Sequence, residues 1–294
     1  TALAFAIMPL GHAREVPGTA LFRRSDRPRT AKNRSNSERP AMPSVAIIIP
    51  TTGAALVRPC IESVLAQTHA DVRPFVVIDG PEFVAPFQAA TAGMDLSRCR
   101  IAVLPVNVGR NGFYGHRVYA AFSHLVDTDF VAFLDQDNWL ERDHVATLLQ
   151  SIDRHGWDWA FALRRVFSEG GQYLIDDESQ SVGPWHVSAT LEKLIDTNCY
   201  LLRAGVAHRS ASHWHGGWGQ DRVFYTELAK AFPNFGCSGR YTLNYRTRDN
   251  AQAAVTALLE RENALVRARH PGGFPWLGAV PVGAGCAGST SSTR

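Results

Sequence analysis

A chain of 294 residues, 45% hydrophobic and 19% charged, can bury a sizeable core as one large domain or two small ones. Its net charge of +3 is uneven: residues 1–44 carry eight Arg or Lys against three acidic residues, a net of +5, which leaves −2 for the remainder. That balance excludes a body that grips nucleic acid electrostatically, and no stretch approaches the roughly 18 to 20 apolar residues of a bilayer-spanning helix.

Residues 1–44 read as an appendage, a disordered basic N-terminal extension. Thr1 to Leu10 is apolar but short and follows no cationic residue, so it makes a poor signal peptide. Arg23 to Pro43 is rich in Arg, Ser, Asn and Pro and is expected to be disordered, with Met42 as the natural start. A basic arm of this kind suits contact with an anionic lipid surface or with nucleic acid, and a non-native or upstream-translated leader is the plainer alternative. The five cysteines are scattered without C-x-x-C spacing, which fits a reducing compartment. A cytoplasmic protein, soluble or peripheral to the inner membrane face, is the expectation.

Val45-Ala-Ile-Ile-Ile-Pro50 is a continuous apolar strand, and Leu56, Cys60, Ile61, Val64 and Leu65 then recur at helical spacing. Phe75 to Ile78 and Ile101 to Leu104 predict two more strands, with a short helix over Ala85 to Thr91 between them. A polar loop, Asn107 to Gly112, follows, and Tyr114, Val118, Ala121, Phe122 and Leu125 mark one helical face. Val131 to Leu134 is a fourth buried strand, and a helix over His144 to Ile152 comes after it. Strands of unbroken apolar character alternating with amphipathic helices predict an α/β fold with a mostly parallel central sheet and helices on both faces. Thr51, Asp79, Arg110 and Asp135 each follow a strand, so all four are predicted on one edge of that sheet, where ligands of α/β proteins gather.

The second half is less regular. Trp159 to Val166 and Gln172 to Ile175 predict a hairpin turning at Glu169-Gly-Gly171, and Asp176 to His186 reads as loop. Asn198 to Leu202 and Tyr241 to Tyr245 predict strands, and Arg222 to Phe232 and Ala251 to Arg269 predict helices. Residues 271–294, mostly Gly, Ala, Ser and Thr, predict a flexible tail. The expected domain is therefore 45–270, with alternating strands and helices over 45–155 and a mixed, less regular C-terminal region over 156–270.

The chemistry concentrates at Leu134-Asp-Gln-Asp-Asn138. Two carboxylates one residue apart repel unless a cation or a proton sits between them. A hard divalent ion, Mn²⁺ or Mg²⁺, shared with substrate phosphates relieves that repulsion. An acidic turn that only caps the next helix is the plainer alternative. Val45 to Thr51, Val77-Ile-Asp-Gly80, the Asn107 to Asn111 loop and Leu134 to Asn138 form one ordered series with Asn198 to Arg203 and Gly216-Gly-Trp-Gly-Gln-Asp-Arg222. Together they resemble the inverting glycosyltransferases of family 2, which have the GT-A fold.

That resemblance implies transfer of a sugar from a UDP- or GDP-type nucleotide-sugar to a glycan, lipid-linked or other hydroxyl acceptor. Synthesis of surface glycan or glycoconjugate of the bacterial type is the implied setting. It implies that Pro50, Thr51, Asp79 and Gly80 hold the nucleotide with Asn107 and Arg110. Asp135 would contact ribose or metal, Asp137 the metal, and Asp221 would be the catalytic base. Three departures stand out. The second strand ends in Ile78-Asp79 rather than a doubled Asp, and the later Glu-Asp pair reads Gln220-Asp221. The Gln-x-x-Arg-Trp of processive synthases is absent, which argues for a non-processive enzyme.

Several residues keep two readings. Arg110 is a phosphate contact or a surface arginine, and Asp221 a base or an N-cap. His213 and His215 could complete a metal site or belong to a solvent-facing loop. Trp214 and Trp218 could stack a sugar or pack the core, and His116 and Arg117 could face phosphates or pack. A nucleotidyltransferase would want a Gly-rich, Arg-bearing loop directly after the first strand, which Pro50 to Ala54 lacks. A sugar- or nucleotide-binding module without turnover is the non-enzyme alternative.

Overall fold

The computed structural model describes residues 42–186 and 192–278. The expected basic arm through residue 41 and the tail from residue 279 lie outside the described residues.

The elements run β1 (Val45–Thr51), α1 (Val57–Leu65), β2 (Val72–Ile78), α2 (Val84–Ala90), β3 (Arg100–Val103) and α3 (His116–Leu125). They continue with β4 (Phe130–Phe133), β5 (Trp139–Leu140), α4 (His144–His155), β6 (Trp159–Phe167) and β7 (Tyr173–Asp176). The last are β8 (Tyr200–Arg203), α5 (Ala204–Ser210), α6 (Gln220–Ala231), β9 (Phe235–Arg246) and α7 (Asp249–Arg269). They build one sheet in the order β3-β2-β1-β4-β8-β6-β9-β5, with β7 paired to β6.

The first four strands in that order are parallel, as unbroken apolar strands joined by helices require. Every residue of β1 is buried, because helices cover both of its faces. Val45 lies opposite both Val72 and Phe130, so β1, β2 and β4 start level. β1 and β2 finish together at Thr51 and Ile78, while β4 stops at Phe133 opposite Ile48 and leads straight into Leu134 and Asp135. Thr51, Asp79 and Asp135 therefore emerge on one edge. Beyond β4 the sheet turns mixed: β8 runs antiparallel to both β4 and β6, and β6 is parallel to β9. No described helix is long and apolar enough to cross a membrane.

Four local differences from the sequence expectation have physical causes. In α3 the buried face is Val118, Tyr119 and Ser123, while Leu125 is 68% exposed and Tyr114 precedes the helix at φ +51°. The expected strand from Asn198 begins two residues later, at Tyr200. A single helical turn over Thr197–Cys199 intervenes, capped by the Asp196 carboxylate accepting from the Asn198 N–H at 2.9 Å. The expected five-residue strand at Tyr241 is the end of the twelve-residue β9. Gly239, at φ +69°, interrupts its apolar alternation where the register against β6 shifts. The predicted tail after Pro271 includes a short turn over Pro275–Gly278, because Trp276 is fully buried, stacked on Phe274 with centroids 4.8 Å apart.

The residue before β1 is also tied to the sheet. Ser44 donates from both its N–H and its hydroxyl to the Asp129 carboxylate at 2.8 Å, which ties the entry of β1 to the entry of β4.

Candidate active site

Asp135 leaves the end of β4 with both carboxylate oxygens engaged. Oδ1 accepts from the Tyr119 hydroxyl at 2.7 Å, and Oδ2 accepts from Asn198 Nδ2 at 3.0 Å. The Asp135 backbone N–H donates in turn to Asn198 Oδ1. Burial raises the pKa of Asp135, and these two hydrogen bonds, which favour the charged form, oppose the rise. Tyr119 is fully buried, and burial followed by the Asp135 charge pushes its hydroxyl well up, so it stays a donor.

Asn198 is itself held from behind. Asp196 Oδ1 accepts from the Asn198 N–H at 2.9 Å and from its Nδ2 at 2.7 Å. Asp196 Oδ2 accepts from Arg164 Nη1 at 2.7 Å, and Arg164 Nε reaches Asp177 Oδ2 at the same distance. Asp177, wholly buried, also accepts from the N–H groups of Ser179, Gln180 and Ser181. Burial works against the Arg164 charge, but the Asp177 and Asp196 carboxylates more than offset it and hold the guanidinium protonated. A chain of hydrogen bonds thus runs from the core of β6 to the carboxylate at the sheet edge, with Asp177 and Asp196 sharing the Arg164 charge and Asp135 held by neutral donors.

The middle residue of the acidic turn faces the other way. Gln136 Oε1 accepts from Thr51 Oγ1 at 2.7 Å and from the Thr52 N–H at 3.1 Å, which joins the ends of β4 and β1. The turn closes with the Asn138 N–H donating to the Asp135 carbonyl at 3.1 Å. At its far side Arg246, from the end of β9, donates from Nε to the Asp137 carbonyl at 3.0 Å and from its backbone N–H to Asn138 Oδ1 at 2.8 Å. Burial and then the neighbouring Asp135 raise Asp137 to about 6, with Arg248 and Arg246 opposing. Asp137 is the member of the pair whose carboxylate no described side chain ties by a hydrogen bond, as Tyr119 and Asn198 tie Asp135.

Asp79 is buried below a loop. Its Oδ1 accepts from the Val108 N–H at 2.7 Å and its Oδ2 from the Gly109 N–H at 2.8 Å, so it anchors the segment that carries Asn107 and Arg110. Asn107 Oδ1 accepts from the Arg110 N–H at 2.8 Å, while Arg110 itself is exposed. A Cβ on Gly109 would strike the Tyr114 carbonyl and come within 2.7 Å of Asp79 Oδ2, so only glycine fits there. Pro50 packs against Gly115, whose Cβ would lie 2.8 Å from its ring, and Gly80 takes φ +132°, which a glycine adopts without strain.

Asp221 sits in the first turn of α6, but Gly219, at φ +84°, occupies the N-cap position. The carboxylate accepts from the Arg222 N–H at 3.0 Å and from Arg222 Nη1 at 3.1 Å, and burial raises its pKa while Arg222 lowers it. The loop ahead of it meets the loop after β3: His116 Nδ1 donates to the Gly216 carbonyl at 3.0 Å, and Phe113 lies 5.9 Å from His215. Trp214 is core, fully buried and stacked on Phe224 at 3.7 Å, whereas Trp218 is 82% exposed beside Arg222. Arg117 lies over the Phe113 ring, 3.3 Å from its centroid, and donates from Nη1 to the Val108 carbonyl at 3.3 Å.

The donor set suits a hard cation held by few protein ligands. Among the described residues no three or more His, Cys, Asp or Glu converge, and His213 and His215 join no such cluster. Asp137, with an oxygen of Asp135 beside it, fits an ion whose remaining ligands come from substrate phosphates and water. Tyr119, Asp196, Arg164 and Arg246 escaped the sequence reading. Tyr119 sits on the helical face one position from Val118, and Asn198 was singled out without its role.

Comparison with known proteins agrees with the architecture. The family model described as glycosyl transferase family 2 matches residues 46–201, more than half of the 294. No curated protein matches the chain in sequence. S. aureus TarS 1–349 in complex with UDP-GlcNAc superposes with a TM-score of 0.54 at 15% identity, covering 70% of this chain and 59% of that one. The same TarS fragment in complex with UDP gives 0.50 at 14% identity, covering 78% and 72%. The chain thus spans less than two thirds of the first of these structures, and the likeness establishes a common GT-A fold. With the parallel β1, β2 and β4 edge, the acidic turn after β4 and a family match running from β1 to β8, the chain belongs to glycosyl transferase family 2.

Proposed function

We propose that the protein transfers a sugar from a nucleotide-diphospho-sugar to an acceptor hydroxyl, with a divalent cation, Mn²⁺ or Mg²⁺, and with inversion at the anomeric carbon. The observation that carries this reading is the electrostatics of the acidic turn. Asp135 is tied by Tyr119 and Asn198, and Asp137 is raised to about 6 by burial and by Asp135, so the pair calls for one more positive charge. The TarS complexes with UDP and UDP-GlcNAc support a uridine nucleotide as the first donor to test.

In this reading a bound divalent ion would supply Lewis-acid stabilisation of the diphosphate charge. Asp137 would hold it, with Asp135 beside it, oriented toward ion or ribose. Thr51, Asp79 and Gly80 frame the nucleotide at the ends of β1 and β2, and the loop with Asn107 and Arg110 borders the phosphates. Asp221 takes the proton from the acceptor hydroxyl, which is too weak a nucleophile at neutral pH. Its burial-raised pKa brings it closer to the strength a general base needs, while Arg222 keeps it ionised. A base on the acceptor side, opposite the leaving diphosphate, gives inversion.

Titration calorimetry with UDP and GDP, with and without Mn²⁺, tests the reading on the wild type and on Asp137→Ala. Cation-dependent nucleotide binding that Asp137→Ala removes is the expected result. Equal affinity in both proteins would remove the metal site from the proposal.

A further inference from the structure

In the family resemblance the later acidic pair is Glu-Asp, and here it is Gln220-Asp221. Gln220 opens α6, and its side chain folds back across the loop before the helix. Its Nε2 donates to the His213 carbonyl. The amide occupies the space above Gly216, where an added Cβ would overlap it, and the Gln220 N–H donates to the Gly217 carbonyl at 3.2 Å. A carbonyl oxygen needs a donor opposite it, so the NH₂ end of the amide faces His213. An ionised glutamate, which only accepts, cannot make that bond. The loop held in this way abuts the donor side: Gly216 accepts from His116, and a Cβ on Gly217 would lie 3.1 Å from the Gly112 carbonyl.

We propose that Gln220 is a positioning residue for Asp221, which holds residues 213–219 so that α6 begins at Gly219 with Asp221 in its first turn. The amide is then a required lock, and the departure from Glu-Asp is no loss of a second base. This rests on Asp221 as the base in the function proposed above. The ionisable groups around the Gln220 side chain are His213 and His215 on its loop, His116 from α3, and Asp221 and Arg222 from α6. In Gln220→Glu a protonated side chain donates to the His213 carbonyl as the amide does. The folded state therefore favours the neutral acid, with Asp221 acting in the same direction and Arg222 and any protonated histidine against it. The lock is present at low pH and lost as pH rises through the raised pKa of the new carboxyl.

The experiment compares wild type, Gln220→Glu, Gln220→Ala and Asp221→Asn with UDP and a panel of UDP-sugars in Mn²⁺, following UDP release. At about pH 8 Gln220→Glu is expected to bind UDP within about twofold of wild type but to turn over about tenfold or more slowly. Relative to wild type at each pH, its turnover recovers toward about pH 5, while that of Gln220→Ala does not. Thermal unfolding decides the lock without any substrate. Gln220→Glu melts about 2 to 4 °C below wild type at the higher pH, and the gap closes on acidification. Wild-type turnover and stability in Gln220→Glu at about pH 8, or a deficit that acid does not repair, would overturn the proposal. A wild type without turnover, or a fully active Asp221→Asn, would instead count against the catalytic reading, and the melting data would still decide the lock.

Discussion

Asn198 and Asp135 are joined twice, side chain to side chain and backbone to side chain. Asn198 Nδ2 donates to Asp135 Oδ2 at 3.0 Å, and the Asp135 N–H donates to Asn198 Oδ1. The same Nδ2 donates to Asp196, so one neutral amide separates two carboxylates and orients the nearer one.

Replacing that amide should therefore affect the site before the fold. Asn198→Ala is expected to cost about 1–3 kcal/mol of stability, because Asp135 and Asp196 each lose a donor in a buried place. Asn198→Asp should cost more at neutral pH, since it sets a third carboxylate between two others. Both should weaken cation-dependent nucleotide binding, which calorimetry measures. Wild-type affinity in Asn198→Ala would show that Tyr119 alone orients Asp135.

Asp137 gives a pH dependence of definite sign. Its folded pKa, about 6, lies above the ordinary carboxylate value, so the native state binds the proton more tightly than the unfolded chain does. Without cation, stability should fall as pH rises from about 4 through 6, and Asp137→Asn should reduce that slope, to which the raised Asp135 and Asp221 also contribute. The neutral variant should be more stable than wild type at pH 7 by roughly 1–3 kcal/mol. With Mn²⁺ present the order reverses for binding: nucleotide affinity drops as pH falls below about 6, because the proton competes with the ion. Denaturant unfolding across pH, with and without Mn²⁺, checks both statements.

Arg164 forms ion pairs with both Asp177 and Asp196, each contact at 2.7 Å. Arg164→Met leaves two buried carboxylates uncompensated and should cost about 3–5 kcal/mol. The loss should shrink in mild acid, where those carboxylates take up protons. A variant as stable as wild type at neutral pH would mean that the Asp177 loop reorganises around the missing charge.

Asp221→Asn should retain nucleotide binding and lose turnover by about 10²- to 10⁴-fold, the contribution of a positioned base. Steady-state kinetics with any donor that the wild type uses would reveal it. Turnover near the wild-type rate would place proton removal on another group.

The parallel half of the fold was legible in the residues because β1, β4 and most of β2 are unbroken apolar runs. Only a sheet covered on both faces buries such strands, while β3 at the sheet edge stays largely exposed. The placement of Thr51, Asp79 and Asp135 on one edge followed from parallel strands that begin level. β9 was underestimated, because Gly236, Ser238 and Gly239 break the alternation that marks a strand, and long-range pairing with β6 holds it together regardless. In α3, helical spacing alone picked a face containing Leu125, whereas the sheet selected the neighbouring face with Tyr119.

By itself the sequence determined the class of fold, the sheet edge that carries the site and the pair Asp135 and Asp137, since local polarity and period suffice for these. Only the tertiary structure decided that Asp135 is tied by two side-chain donors while no described side chain ties Asp137. Tyr119, Arg164, Arg246 and the turn with Asp196 and Asn198 come from four separate segments, and no local pattern encodes hydrogen bonds that exist only after the sheet has assembled.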